Sequence, residues 1–404
     1  MNNISRKSTG LSVALLLTLP WLMSCSVSHS PSPDPFLEAV FTDALERFQA
    51  QKGFPGITAS YVLPGGKQYS AAAGWADLER GEAMTVESRM LAASIGKTFV
   101  AATMVSLARE QAIDLETPAS NWLDRKSWFG RLPNHQSMTL RQLLNHTSGL
   151  SNHVYEPAFA AAVSGQWPAS GNPFTPDVLV SFVLDKEPLF YPGEGWAYTD
   201  TGYILLGFVI EAITGRTYYQ EINDRFLGPL GLTSTTPSNQ RTLLNLAAGY
   251  VAADNPFDFP PKTTDQNGVM VWHPGMEWTG GGLVSTSRDL AHWGNELFLG
   301  QALPDEDLNT MLESVSIGED SPGTQYGLGI AIRQSGPLSP VFGHGGWIPG
   351  YSSSLRHYPK NETTIAFQVN SDRISHQHLS EIELCLARIV ISGGHDTHCV
   401  PKVR

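Results

Sequence analysis

Ser94-Ile-Gly-Lys97 is the only Ser-x-x-Lys in the chain, and it opens an apolar run from Thr98 to Ala108. At helical spacing, positions three apart share a face, so the Lys97 ammonium can reach back to the Ser94 hydroxyl. A hydroxyl nucleophile with a basic partner beside it is equipped for acyl transfer. Placement adds to this. Ser94 falls where the helix begins, so free N–H groups and the positive end of the helix face any negative charge that develops on it. Val100, Met104 and Leu107 lie along one side and would hold that end in place.

Two further clusters could do chemistry. Tyr198-Thr-Asp200 precedes a helical pattern with Tyr203, Leu206, Ile210 and Ile213 on one face, ended by Gly215. Asp200 is expected to cap that helix. Tyr198, with an ordinary pKa of about 10, would act as a base only beside a cation such as Lys97; otherwise it is a packed aromatic. Gly343-His-Gly-Gly-Trp347 falls at the end of a short strand. Its glycines let a substrate approach the backbone, and His344 can exchange a proton near neutral pH. The alternative is a tight turn with an incidental histidine.

The elements that must position these residues follow from pattern. Residues 36–51 read as a helix, 57–63 and 68–73 as a β-hairpin around Pro64-Gly65-Gly66. Between 113 and 315 the pattern is helical with long Pro/Gly/Asn-rich loops, as at 165–173 and 253–268. Strands return at 327–332, 341–344, 352–358 and 363–370. A last helix carries Leu379, Ile382, Leu386 and Ile389 on one face. Strands cluster at both ends, so the expected fold is α/β (α+β): a mainly antiparallel sheet flanked by helices, built by residues 36–112 and 316–404. An all-helical insertion spans 113–315, and the active-site cleft lies between the two parts.

Composition excludes several classes. The 404 residues carry a formal net charge of −12, which argues against nucleic acid as a partner. There is no Gly-rich phosphate loop and no His-Glu-x-x-His zinc motif. His395 and His398 beside Cys399 give only a weak metal signal, so no metal is expected. His146 reads as a loop histidine held by backbone. Trp272, Trp278 and Tyr326 either line the cleft or fill the core. The α/β-hydrolase reading of the His-Gly-Gly string fails, because no Gly-x-Ser-x-Gly follows.

Residues 1–25 read as a signal peptide, with Arg6 and Lys7 ahead of an apolar stretch from Leu11 to Leu22. Residues 26–35 read as a flexible tether. With three cysteines in an exported chain, Cys385 and Cys399 are left as a candidate disulfide if Cys25 is occupied otherwise; two free thiols are the alternative. Leu22-Met-Ser-Cys25 resembles the lipobox of bacterial lipoproteins, which implies lipidation of Cys25 and a membrane anchor; plain cleavage is the alternative.

In order, Ser94-x-x-Lys97, Tyr198-x-Asp200 and His344-x-Gly346 resemble the three motifs of the serine β-lactamase and penicillin-binding-protein-like superfamily. The branch is that of class C β-lactamases, D-alanyl-D-alanine carboxypeptidases, D-aminopeptidases and family VIII esterases. Thr139 to Gly149, Pro229 to Leu232 and Gly281 to Thr286 are similar to it as well, and the likeness covers residues 36–395. The resemblance implies acyl transfer through a Ser94 acyl-enzyme, with Lys97 and Tyr198 sharing the proton work and either able to be the base. The backbone N–H groups of Ser94 and Trp347 would form the oxyanion hole. No cofactor is implied.

Two departures bear on substrate. The third motif carries a hydroxyl residue in β-lactamases, where here stands Gly345, so carboxylate recognition is expected to weaken. The second motif usually ends in Asn, whereas Asp200 cannot donate when ionised; it could pair with Lys97 or receive a substrate ammonium. The expected activity is hydrolysis of small esters or of D-amino-acid amides and peptides, on the periplasmic side of a membrane. The alternatives are a D-alanyl-D-alanine carboxypeptidase with weak β-lactamase activity and a silent protein that binds peptidoglycan fragments.

Overall fold

Residues 363–369 read Thr-Thr-Ile-Ala-Phe-Gln-Val, and all seven are buried. A strand buried on both faces must lie between layers. In the computed structural model it does. Ile365, Phe367 and Val369 join one cluster with Leu37, Phe41 and Phe48, and with Ile382, Leu386 and Ile389. Ala366, one residue out of phase, joins the other cluster with Leu355, Leu290 and the apolar run after Ser94. The period of two thus sends alternate residues to two cores. The structure describes Met1 and residues 34–164, 171–300, 302–319 and 321–402. Pro33–Arg404 form one compact unit.

The helices that matter are α1 (Pro35–Lys52), α2 (Lys97–Glu110), α3 (Asp200–Thr214), α4 (Ser287–Phe298) and α5 (His376–Ile391). Early in the chain come strands β1 (Gly56–Val62), β2 (Gln68–Asp77), β3 (Glu82–Ala83) and β4 (Met90–Leu91). Within the insertion are β5 (Thr236–Pro237) and β6 (Leu283–Ser285). The C-terminal set is β7 (Val315–Ser316), β8 (Thr324–Tyr326), β9 (Ala331–Arg333), β10 (Val341–Ile348), β11 (Tyr351–Tyr358) and β12 (Thr363–Val369). Among the described residues the main sheet runs β3-β2-β1-β12-β11-β10-β9-β8-β7 and every pairing in it is antiparallel. The join of the two chain ends is β1 against β12, with Ile57 opposite Val369. This is the architecture expected from the strands clustering at the two ends.

Three expectations need correction. The insertion is not all helical: β5 and β6 pair with β4 as a small second sheet. The strand expected at 327–332 is a turn at 327–330 between β8 and β9, because Gly329 adopts φ +72° and packs against Ala101. The tether ends earlier than residue 35. Asp34 caps α1 by accepting from the Phe36 N–H at 2.9 Å, and Pro35 opens the helix. The signal peptide, Cys25 and the rest of the tether lie outside the described residues. No helix among the described residues is long and apolar enough to cross a membrane.

Twelve of the fourteen residues of α2 are buried, so it is a central helix rather than an amphipathic surface one. Phe99 stacks on Trp293 of α4 at 3.9 Å between ring centroids, and the Trp293 indole donates to Thr98 Oγ1. Cys385 of α5 is bonded to Cys399, which ties the C-terminal segment back to that helix.

Candidate active site

Ser94 lies in a short 3-10 turn, Ala93–Gly96, that runs directly into α2. One turn on, Lys97 is wholly buried, and its ammonium is 3.1 Å from Ser94 Oγ. The same nitrogen donates to Asp200 Oδ1 and to the Gly280 carbonyl. Three N–H bonds thus meet three acceptors, which uses every donor an ammonium has. Asp200 opens α3, but Thr199 holds the cap position and Asp200 makes no capping bond. The expectation of an Asp200 cap therefore fails, because its carboxylate turns to the buried cation. Burial works against the charged form of Asp200, yet Lys97 outweighs it and holds the carboxyl below its ordinary range. Asn152 adds a hydrogen bond to Oδ2 at 3.4 Å.

Tyr198 sits beside this pair, with Lys97 Nζ 5.0 Å from its ring centroid. Its hydroxyl is buried and makes no hydrogen bond of good geometry. Burial, then the Asp200 charge, push its pKa well above 10, and Ser94 is the group that pulls the other way. The phenol is therefore neutral at rest. Behind it packs His146, 4.3 Å away between ring centroids. His146 accepts from the Thr199 N–H at 3.2 Å, so this loop histidine braces the second motif through backbone.

The third motif lies in β10, which extends four residues past the expected end at His344. β9 pairs only with Val341–Gly343, so from His344 onward the far edge of β10 is unpaired among the described residues. The turn carrying Ser94 packs beside it. An ideal Cβ on Gly346 would stand 2.3 Å from the Ala92 carbonyl oxygen and 2.2 Å from Ser353 Oγ, so only glycine fits. Gly345 is different: its Cβ would meet nothing closer than the Ser353 carbonyl oxygen at 3.8 Å and Arg356 Nη2 at 3.9 Å. Trp347 is 42% exposed, so its side chain does not close the site.

His344 is not the neutral-pH acid–base group expected. Burial first, then the Lys97 charge, push its pKa down to about 3. Tyr326 is 2.8 Å from Nε2, and Nδ1 is bonded to the Gly345 carbonyl. With the ring neutral, Nδ1–H donates to that carbonyl and Nε2 accepts from the Tyr326 hydroxyl. The ring thus bridges the Tyr326 hydroxyl and the Gly345 carbonyl.

A cavity of about 470 Å³ joins these parts, lined by Ser94, Tyr198, Asp200 and His344 together with Tyr326 and Glu277. Residues 36–112, 113–315 and 316–404 all contribute, so the cleft lies where the sequence placed it. One wall was unforeseen. Leu379, Ser380 and Glu383 of α5 reach the cavity, and Glu383 binds Arg333, Arg356 and Ser354. Of the aromatics left open from sequence, Tyr326 lines the cavity and Trp272 is core. No group of three or more potential metal ligands occurs among the described residues.

The Beta-lactamase family model matches residues 41–383. The chain belongs to that family. Ser94 is the hydroxyl that faces the cavity, with the Lys97 ammonium beside it. This member of the Beta-lactamase family is similar to a penicillin-binding protein of Bacillus subtilis, 25% identical over 75% of this chain and 65% of that one. It is also similar to a D-aminopeptidase of Brucella anthropi, 26% identical over 78% of this chain and 57% of that one. The chain thus spans less than two thirds of the length of these relatives. Among solved structures it resembles a D-stereospecific amidohydrolase from a Streptomyces species, with TM-score 0.75 and 31% identity over 87% of this chain and 99% of that one. A D-amino acid amidase from Ochrobactrum anthropi, complexed with D-phenylalanine, has TM-score 0.75 and 26% identity over 88% of this chain and 99% of that one.

Proposed function

We propose that the chain hydrolyses amides or short peptides of D-amino acids through a Ser94 acyl-enzyme. The observation that carries the reading is the Ser94–Lys97–Asp200 chain of contacts opening on a cavity. Two of the solved structures it resembles are a D-stereospecific amidohydrolase and a D-amino acid amidase, which supports the same substrate class.

In the resting arrangement neither Lys97 nor Tyr198 is a free base, so the proton is relayed. Ser94 Oγ bonds to the substrate carbonyl carbon as its proton passes to Tyr198 Oη. Tyr198 gives its own proton to the leaving amine, and the C–N bond breaks. Water then reverses the relay: its proton goes to Tyr198, the Tyr198 proton returns to Ser94, and the acid is released. The Lys97 ammonium, held by Asp200, stabilises negative charge in transit. The Ser94 N–H and the open edge of β10 at Trp347 would receive the developing oxyanion.

A second reading, a D-alanyl-D-alanine carboxypeptidase, is favoured by one observation: Arg356 stands behind the open space at Gly345 and could bind a carboxylate. A silent peptidoglycan-binding protein has no need of the buried Lys97. Export, a lipid anchor on Cys25 and small esters as further substrates stay part of this proposal, on the sequence features given above.

The test compares D-alanine p-nitroanilide, its L-isomer and benzylpenicillin. The full chain is expected to cleave the D-anilide at least about tenfold faster than the L-anilide and to be acylated slowly by the drug. Gly345→Thr has room for its Cβ and should speed acylation, because the hydroxyl gains a carboxylate partner. Faster turnover of the drug than of the D-anilide by the unaltered chain would sink the amidase reading in favour of the carboxypeptidase one.

A further inference from the structure

Among the described residues, Glu277 is the one cavity-lining carboxylate that the relay does not use and that no cation holds. Asp200 is taken by Lys97, and Glu383 by Arg333 and Arg356. Glu277 makes no ion pair among the described residues, and its Oε2 is cut off from solvent with no hydrogen-bond partner. Such a group is unfavourable unless something arrives to satisfy it. It also stands close to the nucleophile. An ideal Cβ on Gly281 would be 2.5 Å from the Ala93 carbonyl carbon and 3.0 Å from Glu277 Oε1. Glu277 Oε1 therefore lies within 5.5 Å of the Ala93 carbonyl carbon, in the peptide that leads into Ser94, and the residue borders the same cavity.

We propose that Glu277 receives the free α-ammonium of the substrate, making the enzyme selective for an unblocked D-amino acid at the acyl position. This rests on the amidase reading above and names the group that this reading leaves unbound. The α-nitrogen is two bonds from the carbonyl carbon that Ser94 attacks, so its receptor must lie beside the Ser94 peptide, as Glu277 does. Asp200 cannot take that role without releasing Lys97. Burial pushes Glu277 up to about 8, with the Asp200 charge adding to this and Lys97 opposing it. An α-amino group titrates ordinarily at about 7.7–8.0. Near neutral pH both groups start out protonated, so the ammonium–carboxylate bond forms as Glu277 gives up its proton to solvent, a loss that the arriving ammonium favours.

The test uses the full chain and two substrates that differ only in the amine, D-alanine p-nitroanilide and propionyl p-nitroanilide. The wild type should prefer the amine. Glu277→Gln, which keeps size and shape, should lower kcat/KM for D-alanine p-nitroanilide by about twentyfold or more, chiefly through KM. It should change the propionyl compound by less than about threefold. Labelling of Ser94 by a fluorophosphonate, at the wild-type rate, would show that the variant's site is intact, and Glu277→Asp should give a smaller loss. An equal loss on both substrates, or no loss on either, would overturn the proposal while leaving the amidase reading standing. Hydrolysis of the propionyl compound with none of the D-alanine compound by the wild type would remove both.

Discussion

Lys97→Met is expected to lower kcat by at least about a thousandfold while leaving the fold intact at moderate temperature. The ammonium touches Ser94, Asp200 and Gly280, and proton handling of this kind contributes about 10²–10⁴ in rate. Stability should also fall, since removing one partner of a buried pair costs about 3–5 kcal/mol. The lower end applies, because the Asp200 side chain keeps 21% exposure and its orphaned charge is partly solvated. The pH dependence gives a signature. In the wild type the Asp200 carboxyl lies below its ordinary pKa, so its stabilisation is present above that value and is lost as pH falls through the lowered one. Without Lys97, burial is the largest influence left, opposed by His153 and the Asn152 bond, and it raises that pKa, so stability should instead fall as pH rises from the ordinary value through the raised one. Adding Asp200→Asn should restore the melting temperature and leave activity lost. Recovery of activity in the double variant would show that Lys97 serves only to neutralise Asp200.

Gly346→Ala is expected to cost about 10²–10³ in kcat, the loss typical of a damaged oxyanion site. The added methyl would stand 2.3 Å from the Ala92 carbonyl oxygen, which is backbone and cannot swing aside. It also displaces Ser353 Oγ, which donates to that same oxygen at 2.9 Å. Strand and nucleophile turn must therefore separate, and the two N–H groups flanking the carbonyl cease to converge. Gly345→Ala, one residue away, meets only ordinary contacts and should stay within about threefold of the wild type. Equal effects at the two positions would contradict the close approach of β10 to Ser94. The comparison reads on the rate of p-nitroanilide hydrolysis, with melting temperatures beside it.

How much of this was legible follows from the range of each interaction. Ser94 and Lys97 are three residues apart, so spacing alone predicts their contact. The long strands, α1 and α5 carry a period, α2 reads as a continuous apolar run, and all stand where the sequence places them, within a few residues. β5 and β6 have two and three residues, too short to show a period, and so the insertion read as all helical. The turn at 327–330 breaks an apolar run because Gly329 must face Ala101 of α2, a contact no local pattern contains. His344 read as a group that titrates near neutrality since its type allows it; burial beside Lys97 decides otherwise. Asp200 read either as a cap, from its place at the helix start, or as a partner of Lys97, from its departure at the second motif, and the cation 103 residues away claims it.

Glu277 and Arg356 were missed because their significance lies in what surrounds them. A signal existed for Glu277: a lone carboxylate in Met276-Glu-Trp278, ahead of three glycines at 280–282, is out of place in an apolar turn. Nothing in Arg356 or Glu383 marks them before β11 and α5 are seen to share one cavity wall.

The most direct measurement is an intact-mass spectrum of the full chain quenched during turnover of a slow acyl substrate, D-alanine p-nitrophenyl ester. A parallel sample would carry Ser94→Ala. An added mass equal to the D-alanyl group, mapped by peptide digestion to Ser94 and absent from the variant, is the predicted result. Hydrolysis at the wild-type rate by Ser94→Ala, or an acyl group mapped to another residue, would contradict it.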